Sequence, residues 1–281
     1  MSPRTEEIVR IPSDDEFLHG VLHRAGGDSR WALLFAAPFA EEEKCAHRSL
    51  VETAWALSSA GISCLRFDYR GCGDSPGEFH DYDLNDWVQD TTEAALFVRE
   101  RLGEEIHLGV LGLRLGAAIA MQAADLRDVF DYAVLWEPVI SGQKYLKMNL
   151  RRSLIKAMMT AEEKFEADEI ASKHSEGSIV DFDGYAVTQR MREQIERMDL
   201  VDDPPEFTGP TLIVHLGPRQ QVSPELHKLA DGMIKAEVEA VRQEPFWQRI
   251  GLTSPAPAIE ATELWLAELQ THSITPQTEE A

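Results

Sequence analysis

The stretch that decides the fold is Gly112-Leu113-Arg114-Leu115-Gly116. An apolar run at 106–111 leads into it, and the small-residue run Ala117-Ala118-Ile119-Ala120 leaves it. A short apolar run ended by glycine suits a buried strand, and an alanine-rich run suits a helix packed close to its neighbours. The two glycines bracket a sharp reversal in which side chains would collide with adjacent backbone. The reading is strand, tight turn, helix, with Arg114 at the apex.

Outward from this turn the same alternation recurs. Segments 7–11 and 17–22, separated by Asp14-Asp15-Glu16, read as an antiparallel hairpin. Strands are expected at 31–35, 62–67 and 132–136, and helices at 47–60, with Leu50, Ala54 and Leu57 on one face, and at 83–101, capped near Asp83. The alternation stops at about residue 139 and resumes after Pro204-Pro205 with a strand at 211–216, a helix at 224–233, a strand at 237–241 and a helix at 258–269. Strands alternating with helices imply βαβ units and a mostly parallel sheet. The expected organisation is an α/β core from 1–138 and 206–272, a largely helical insertion at 139–205 broken at 175–184, and a polar tail at 273–281.

The chain has 281 residues, 43% of them apolar, which suffices for one large domain with an inserted subdomain. A net charge of -22 argues against duplex nucleic acid and against non-specific binding to anionic membranes. Cys45, Cys64 and Cys72 form neither a disulfide framework nor a zinc-ligand pattern. No signal-peptide pattern is visible at the N-terminus, and the longest apolar stretch, 31–40, is too short to span a bilayer. A cytoplasmic protein without a transmembrane segment or cofactor is expected.

The Gly112–Gly116 turn has the strand and helix context of a G-x-S-x-G nucleophile elbow. Arg66-Phe67-Asp68-Tyr69-Arg70-Gly71-Cys72-Gly73-Asp74-Ser75 is similar to the D-x-R-G-x-G-x-S segment that leaves the fourth strand of α/β-hydrolases. On these motifs the chain resembles that superfamily over residues 6–270, which implies an eight-stranded, mostly parallel sheet with helices on both faces and a helical cap. Pro38-Phe39-Ala40-Glu41-Glu42, Leu135-Trp136-Glu137-Pro138-Val139, Gly142–Leu146, Phe182–Tyr185 and Pro245-Phe246-Trp247 narrow the resemblance to the bacterial exosortase-associated hydrolases. That implies an esterase-like scaffold of the serine-peptidase S33 kind, working beside exopolysaccharide production or protein sorting.

The resemblance also implies where a Ser, Asp/Glu and His triad would stand. Those positions hold Arg114, Gln220 (in Gly217-Pro218-Arg219-Gln220) and Pro245 (in Gln243-Glu244-Pro245-Phe246-Trp247). A guanidinium has no nucleophilic lone pair at any accessible pH. A triad acts as a unit, so no acyl-enzyme chemistry is expected. Cys45 and His47, two apart at a helix start, point to different faces. Ser75 reads as a loop hydrogen bond, His215 as a core-edge residue, His107 as lying at the wrong strand end and His227 as surface. No His/Asp/Glu set has metal-ligand spacing, so no metal is expected.

Arg114 at a helix N-terminus suits an anion, such as a phosphate or an acidic-sugar carboxylate. Equally, Glu137, Glu41 or Glu42 could neutralise it internally, because a buried unpaired guanidinium is costly. The expected pocket is Arg114 and Leu115 with Phe39, Glu41, Glu42, Trp136, Glu137, Phe246 and Trp247. In the insertion, Leu146, Leu150, Leu154 and Met158 form an apolar helical stripe. Lys144, Lys147, Arg151, Arg152 and Lys156 flank it, either as a solvated face or as a basic lip for an acidic partner. The expected function is that of a degenerate hydrolase that binds a small-molecule or saccharide anion, with a protein partner as a further option. The alternative is an active esterase or thioesterase using atypical groups.

Overall fold

The computed structural model describes residues 5–13, 16–27, 29–160, 179–249, 251 and 253–274. Eight strands form one sheet: β1 (Thr5–Ser13), β2 (Glu16–Arg24), β3 (Trp31–Ala36), β4 (Ser63–Phe67), β5 (His107–Leu113), β6 (Tyr132–Trp136), β9 (Thr211–Gly217) and β10 (Ala236–Arg242). Their order is β1-β2-β4-β3-β5-β6-β9-β10. β2 is antiparallel to β1 and β4, and every pair from β4 to β10 is parallel.

Each central strand is apolar on both faces, as a two-sided sheet requires. Leu33, Phe35, Leu111, Leu113, Val134 and Trp136 pack under α1 (Glu41–Ser59) and α7 (Ala256–Ile274). Leu34, Val110, Leu135 and Ile213 face α2 (Leu84–Leu102), α3 (Leu115–Leu126) and α6 (Pro224–Gly232). β3 and β5 are neighbours although α1, β4 and α2 separate them in sequence. The crevice beyond their carboxyl ends is the topological switch point, where such sheets place ligands.

The largest boundary differences from expectation are at the start of the first helix and the end of the last. α1 begins at Glu41, six residues before the predicted start, because Ala40 turns the chain with φ 54° and Glu41, Glu42 and Glu43 favour the positive helix end. Glu41, Glu42 and Cys45 therefore lie in a helix rather than a loop. The C-terminal helix α7 runs to Ile274, past the predicted end at 269 and past the start of the expected tail; residues 275–281 lie outside the described residues.

The insertion is not wholly helical. Beyond α4 (Gly142–Thr160), strands β7 (Ile179–Phe182) and β8 (Tyr185–Thr188) pair antiparallel before α5 (Gln189–Arg197). Their connection is Asp183-Gly184, with φ 55° and 100°, the two-residue turn that matches strand twist. Residues 175–178 of the predicted interruption lie outside the described residues. α5 is bonded to the start of α2: Gln194 Oε1 accepts from Leu84 N at 2.8 Å, and Arg190 pairs with Asp83.

The predicted tight turn is built from its glycines. A Cβ on Gly112 would lie 2.3 Å from Ala117 Cα, and one on Gly116 would lie 2.3 Å from Ala36 O and 2.4 Å from Ala37 O. Both obstacles are backbone and cannot swing aside. Gly116→Ala is accordingly expected to cost at least about 1–3 kcal/mol, the usual range for overpacking. Chemical denaturation reads this directly, and an unchanged midpoint would contradict the close approach of α3 to the β3 exit.

Candidate functional site

Arg114 follows β5 and caps α3 with φ 57° and ψ -120°, a region costly for any residue with a Cβ. The backbone is bolted there. Arg114 N donates to Trp136 O at 3.0 Å, and Arg114 O accepts from Ala117 N at 3.1 Å and Val139 N at 3.2 Å. Ala40, at the start of α1 on the other side of the switch point, has nearly the same torsions, φ 54° and ψ -126°.

The guanidinium is buried, and among the three candidate carboxylates it meets Glu42. Arg114 Nε donates to Glu42 Oε1 at 3.4 Å, and Nη1 donates to the Glu137 main-chain oxygen at 3.1 Å. Glu42 Oε2 accepts from the Tyr145 hydroxyl at 3.0 Å. The rings of Tyr145 and Trp247 flank the cation, with its central carbon 5.8 Å and 5.5 Å from their centroids. Burial pushes the Glu42 carboxyl above its ordinary value, while Arg114 and the Tyr145 hydroxyl pull it back. Half-buried Glu41 turns instead to Lys44, 3.8 Å away.

The Glu137 carboxylate is engaged elsewhere. Its Oε2 accepts from Leu216 N at 2.7 Å and lies 2.9 Å from His215 Nδ1. The register explains this pairing: Trp136 stands beside Val214 in the β6–β9 ladder, so the next residues, Glu137 and His215, are neighbours. His215 thus lies beside a carboxylate, but its Nδ1 makes no hydrogen bond among the described residues.

Other expected pocket residues are core. Trp136 has no exposed surface; its indole donates to Thr262 Oγ1 at 3.0 Å and its ring packs on Phe246 beneath α1 and α7. Trp136 points away because it shares strand parity with Val134, and Phe246 follows it through their ring contact. Leu115 is likewise fully buried. Phe39, expected in the pocket, is buried among Phe79, Trp87, Tyr145 and Phe182, with ring centroids 5.7–6.4 Å away. What remains between Phe39, Glu42, Tyr145 and Phe182 is a cavity of about 20 Å³, room for about one water.

A larger cavity of about 190 Å³ is lined by Arg114 and by Lys144, Tyr145 and Met148 of α4. Glu137, Val139, Ile140, Tyr145 and Leu226 contribute to its walls. Lys144 and Glu225, which also line it, pair at 2.6 Å.

Gln220 is exposed and Pro245 half-buried. Among the described residues of this site, no hydroxyl or thiol bonds to an imidazole. Ser75 Oγ donates to Asp68 O at 2.6 Å and accepts from His19 N at 2.9 Å, a structural loop bond as expected. His107 is exposed and stacks on Trp31, and His227 is exposed. Sequence spacing did not bring out one group that the fold assembles: ligand atoms of His19, Asp68 and Asp74 lie within 4.8 Å of one another. Asp68 Oδ2 also accepts from Asp74 N at 3.0 Å.

On α4, Leu146 is buried and Leu150 half-buried, while Lys144, Lys147 and Arg151 are exposed and Arg152 half-buried. The side chains of Leu154, Lys156 and Met158 lie outside the described residues. No helix among the described residues is long and apolar enough to cross a membrane.

The strand order, the switch-point crevice and the glycine-bracketed turn after β5 define an α/β-hydrolase. A family model for the S33 serine aminopeptidase hydrolases matches residues 45–225. The chain belongs to this family. No curated protein matches it. Among solved structures it is similar to the esterase Est1E from Butyrivibrio proteoclasticus with ferulic acid bound, at TM-score 0.68 and 18% identity over 94% of this chain and 99% of that one. It is also similar to the Pyrococcus furiosus esterase Pf2001, at TM-score 0.59 and 15% identity over 96% and 93%. Mouse alpha/beta hydrolase domain-containing protein 10 aligns at TM-score 0.59 and 14% identity over 95% and 99%. At these identities the likeness is one of fold.

Proposed function

We propose that this chain is a degenerate α/β-hydrolase, a binding or accessory protein without serine-hydrolase chemistry. One observation carries the reading: the apex of the turn, where this fold class presents its nucleophile, holds a buried guanidinium engaged by Glu42. A permanent cation accepts no proton and attacks no carbonyl. It does suit an anion, and a small-molecule or acidic-sugar anion is the ligand class the reading favours. On this reading Arg114 replaces a serine, residues 139–205 act as a cap, and the protein is cytoplasmic. The resemblance to exosortase-associated hydrolases adds a role beside exopolysaccharide production or protein sorting, with a protein partner.

The second reading, an atypical esterase, draws on the nearness of Glu137 to His215, since a carboxylate beside an imidazole is a starting point for a base, although His215 Nδ1 makes no hydrogen bond among the described residues. The two readings separate in one experiment. The full chain is incubated with a fluorophosphonate probe and with p-nitrophenyl acetate. No labelling and no turnover above buffer are expected. Stoichiometric labelling of a residue around Arg114 would overturn the binding reading in favour of the esterase.

A further inference from the structure

The Arg114–Glu42 contact leaves the cation underused. It is single-toothed and long, 3.4 Å at Nε, where carboxylate–guanidinium pairs of full strength are bidentate and shorter. A guanidinium carries five N–H donors. Glu42 takes one, and the Glu137 carbonyl takes another. The buried indole N–H of Trp247, beside the guanidinium, has no acceptor among the described residues. Donors therefore outnumber acceptors around Arg114.

The carboxylates of the adjoining 190 Å³ cavity cannot correct this. Glu137 is held by Leu216 N, with His215 Nδ1 2.9 Å away, and Glu225 by Lys144. The cavity is smaller than the roughly 300 Å³ at which drug-sized sites begin. Beyond its charged groups the wall is mostly hydrocarbon, from Val139, Ile140, Met148 and Leu226, with the hydroxyl-bearing Ser141, Ser223 and Tyr145 among them.

We propose that this cavity binds a short-chain carboxylic acid, with its carboxylate on the Arg114 guanidinium and its hydrocarbon body against Val139, Ile140 and Leu226. The assignment rests on the binding reading above and narrows its anion to one class. A planar fork matches a carboxylate. Glu42, Glu137 and Glu225 would repel a phosphate dianion from so small a space. A saccharide chain exceeds the volume.

The test is calorimetric titration of the full chain with butyrate, and with butyramide and inorganic phosphate as comparisons. Butyrate is expected to bind one to one with Kd near the millimolar range, as suits a ligand of few atoms. The amide and phosphate are expected to bind at least tenfold more weakly. Glu42→Gln removes the internal competitor and should tighten butyrate severalfold. The double variant Arg114→Gln/Glu42→Gln, which leaves no buried charge of this pair, should lose at least tenfold. Arg151→Gln, on the exposed face of α4, should bind as the parent does. Wild-type affinity in the folded double variant, equal binding of the amide, tighter binding of phosphate, or no saturation by butyrate would each overturn the assignment. If butyrate fails while the fluorophosphonate probe also leaves the chain unlabelled, only the ligand class falls; if the probe labels the site, both readings fall.

Discussion

Replacing Arg114 by methionine is expected to remove about 3–5 kcal/mol of stability at neutral pH, the usual cost of taking one partner from a buried ion pair. Methionine keeps much of the volume, so the loss reports charge rather than a cavity. Glu42 would then be a buried carboxylate with only the Tyr145 hydroxyl as a partner. Burial already raises its pKa, and loss of the cation that lowers it must raise it further. The folded variant thus holds a proton on Glu42 at pH values where the unfolded chain has released it. Stability of the variant therefore falls as pH rises from the ordinary carboxylate value, about 4.3, through the raised folded value. Below that window Glu42 is protonated in both states and the part of the penalty due to its charge disappears. Urea melts of parent and variant across pH 4–8 read the divergence. A gap that stays constant with pH would mean that Glu42 is not the orphaned partner, and Glu42→Gln in the same background should close most of the gap at neutral pH.

Asp90→Ala is the second large loss expected. Asp90 has no exposed surface, and its two oxygens hold one residue at both ends: Oδ1 accepts from Arg70 Nε at 2.7 Å and Oδ2 from Arg70 N at 2.9 Å. Arg70 lies in the segment that leaves β4, whose next turn wraps Asp68 and Ser75 against His19. The substitution takes the paired carboxylate from a buried cation and an acceptor from a main-chain N–H, and leaves the β4 exit tied to α2 by the weaker bonds of Arg70 to Asp86 O and of Trp87 Nε1 to Arg70 O. A loss of about 3–5 kcal/mol is expected, which for a domain of this size lowers Tm by roughly 10 °C. Calorimetry measures it, and a shift within a degree or two would show that water replaces the carboxylate without cost.

Much of the fold was legible in the sequence because the strands are buried on both faces and therefore read as continuous apolar runs between helical patterns. The elbow was legible for a sharper reason: its glycines sit where a Cβ would meet backbone, so their spacing admits one geometry. The early start of α1 was hidden, since it depends on Ala40 holding a torsion usual for glycine. The β7–β8 hairpin left a trace, Asp183-Gly184, that was read as a break between helices rather than as a turn between strands.

The site was legible only in part. Arg114 could be named from its turn, but which glutamate it meets depends on the phase of α1, which points Glu42 inward and Glu41 toward Lys44. Tyr145 was missed because nothing local marks one tyrosine of α4 as facing a carboxylate. His215 was passed over because its partner, Glu137, lies in a different strand and the pairing exists only in the register of β6 on β9. Trp136 stands in the core by strand parity with Val134, and Phe246 is in the core because its short helical turn packs it on Trp136.

The hydroxyl of Tyr145 joins α4 to Glu42, and Lys144, one residue earlier, joins the same helix to Glu225 at the head of α6. α4 is thereby a lever pinned at two points. Its first turn cannot tilt away from the sheet without costing Glu42 one of its two side-chain partners, so a load applied to the outward row of Lys147 and Arg151 is transmitted to the guanidinium beneath.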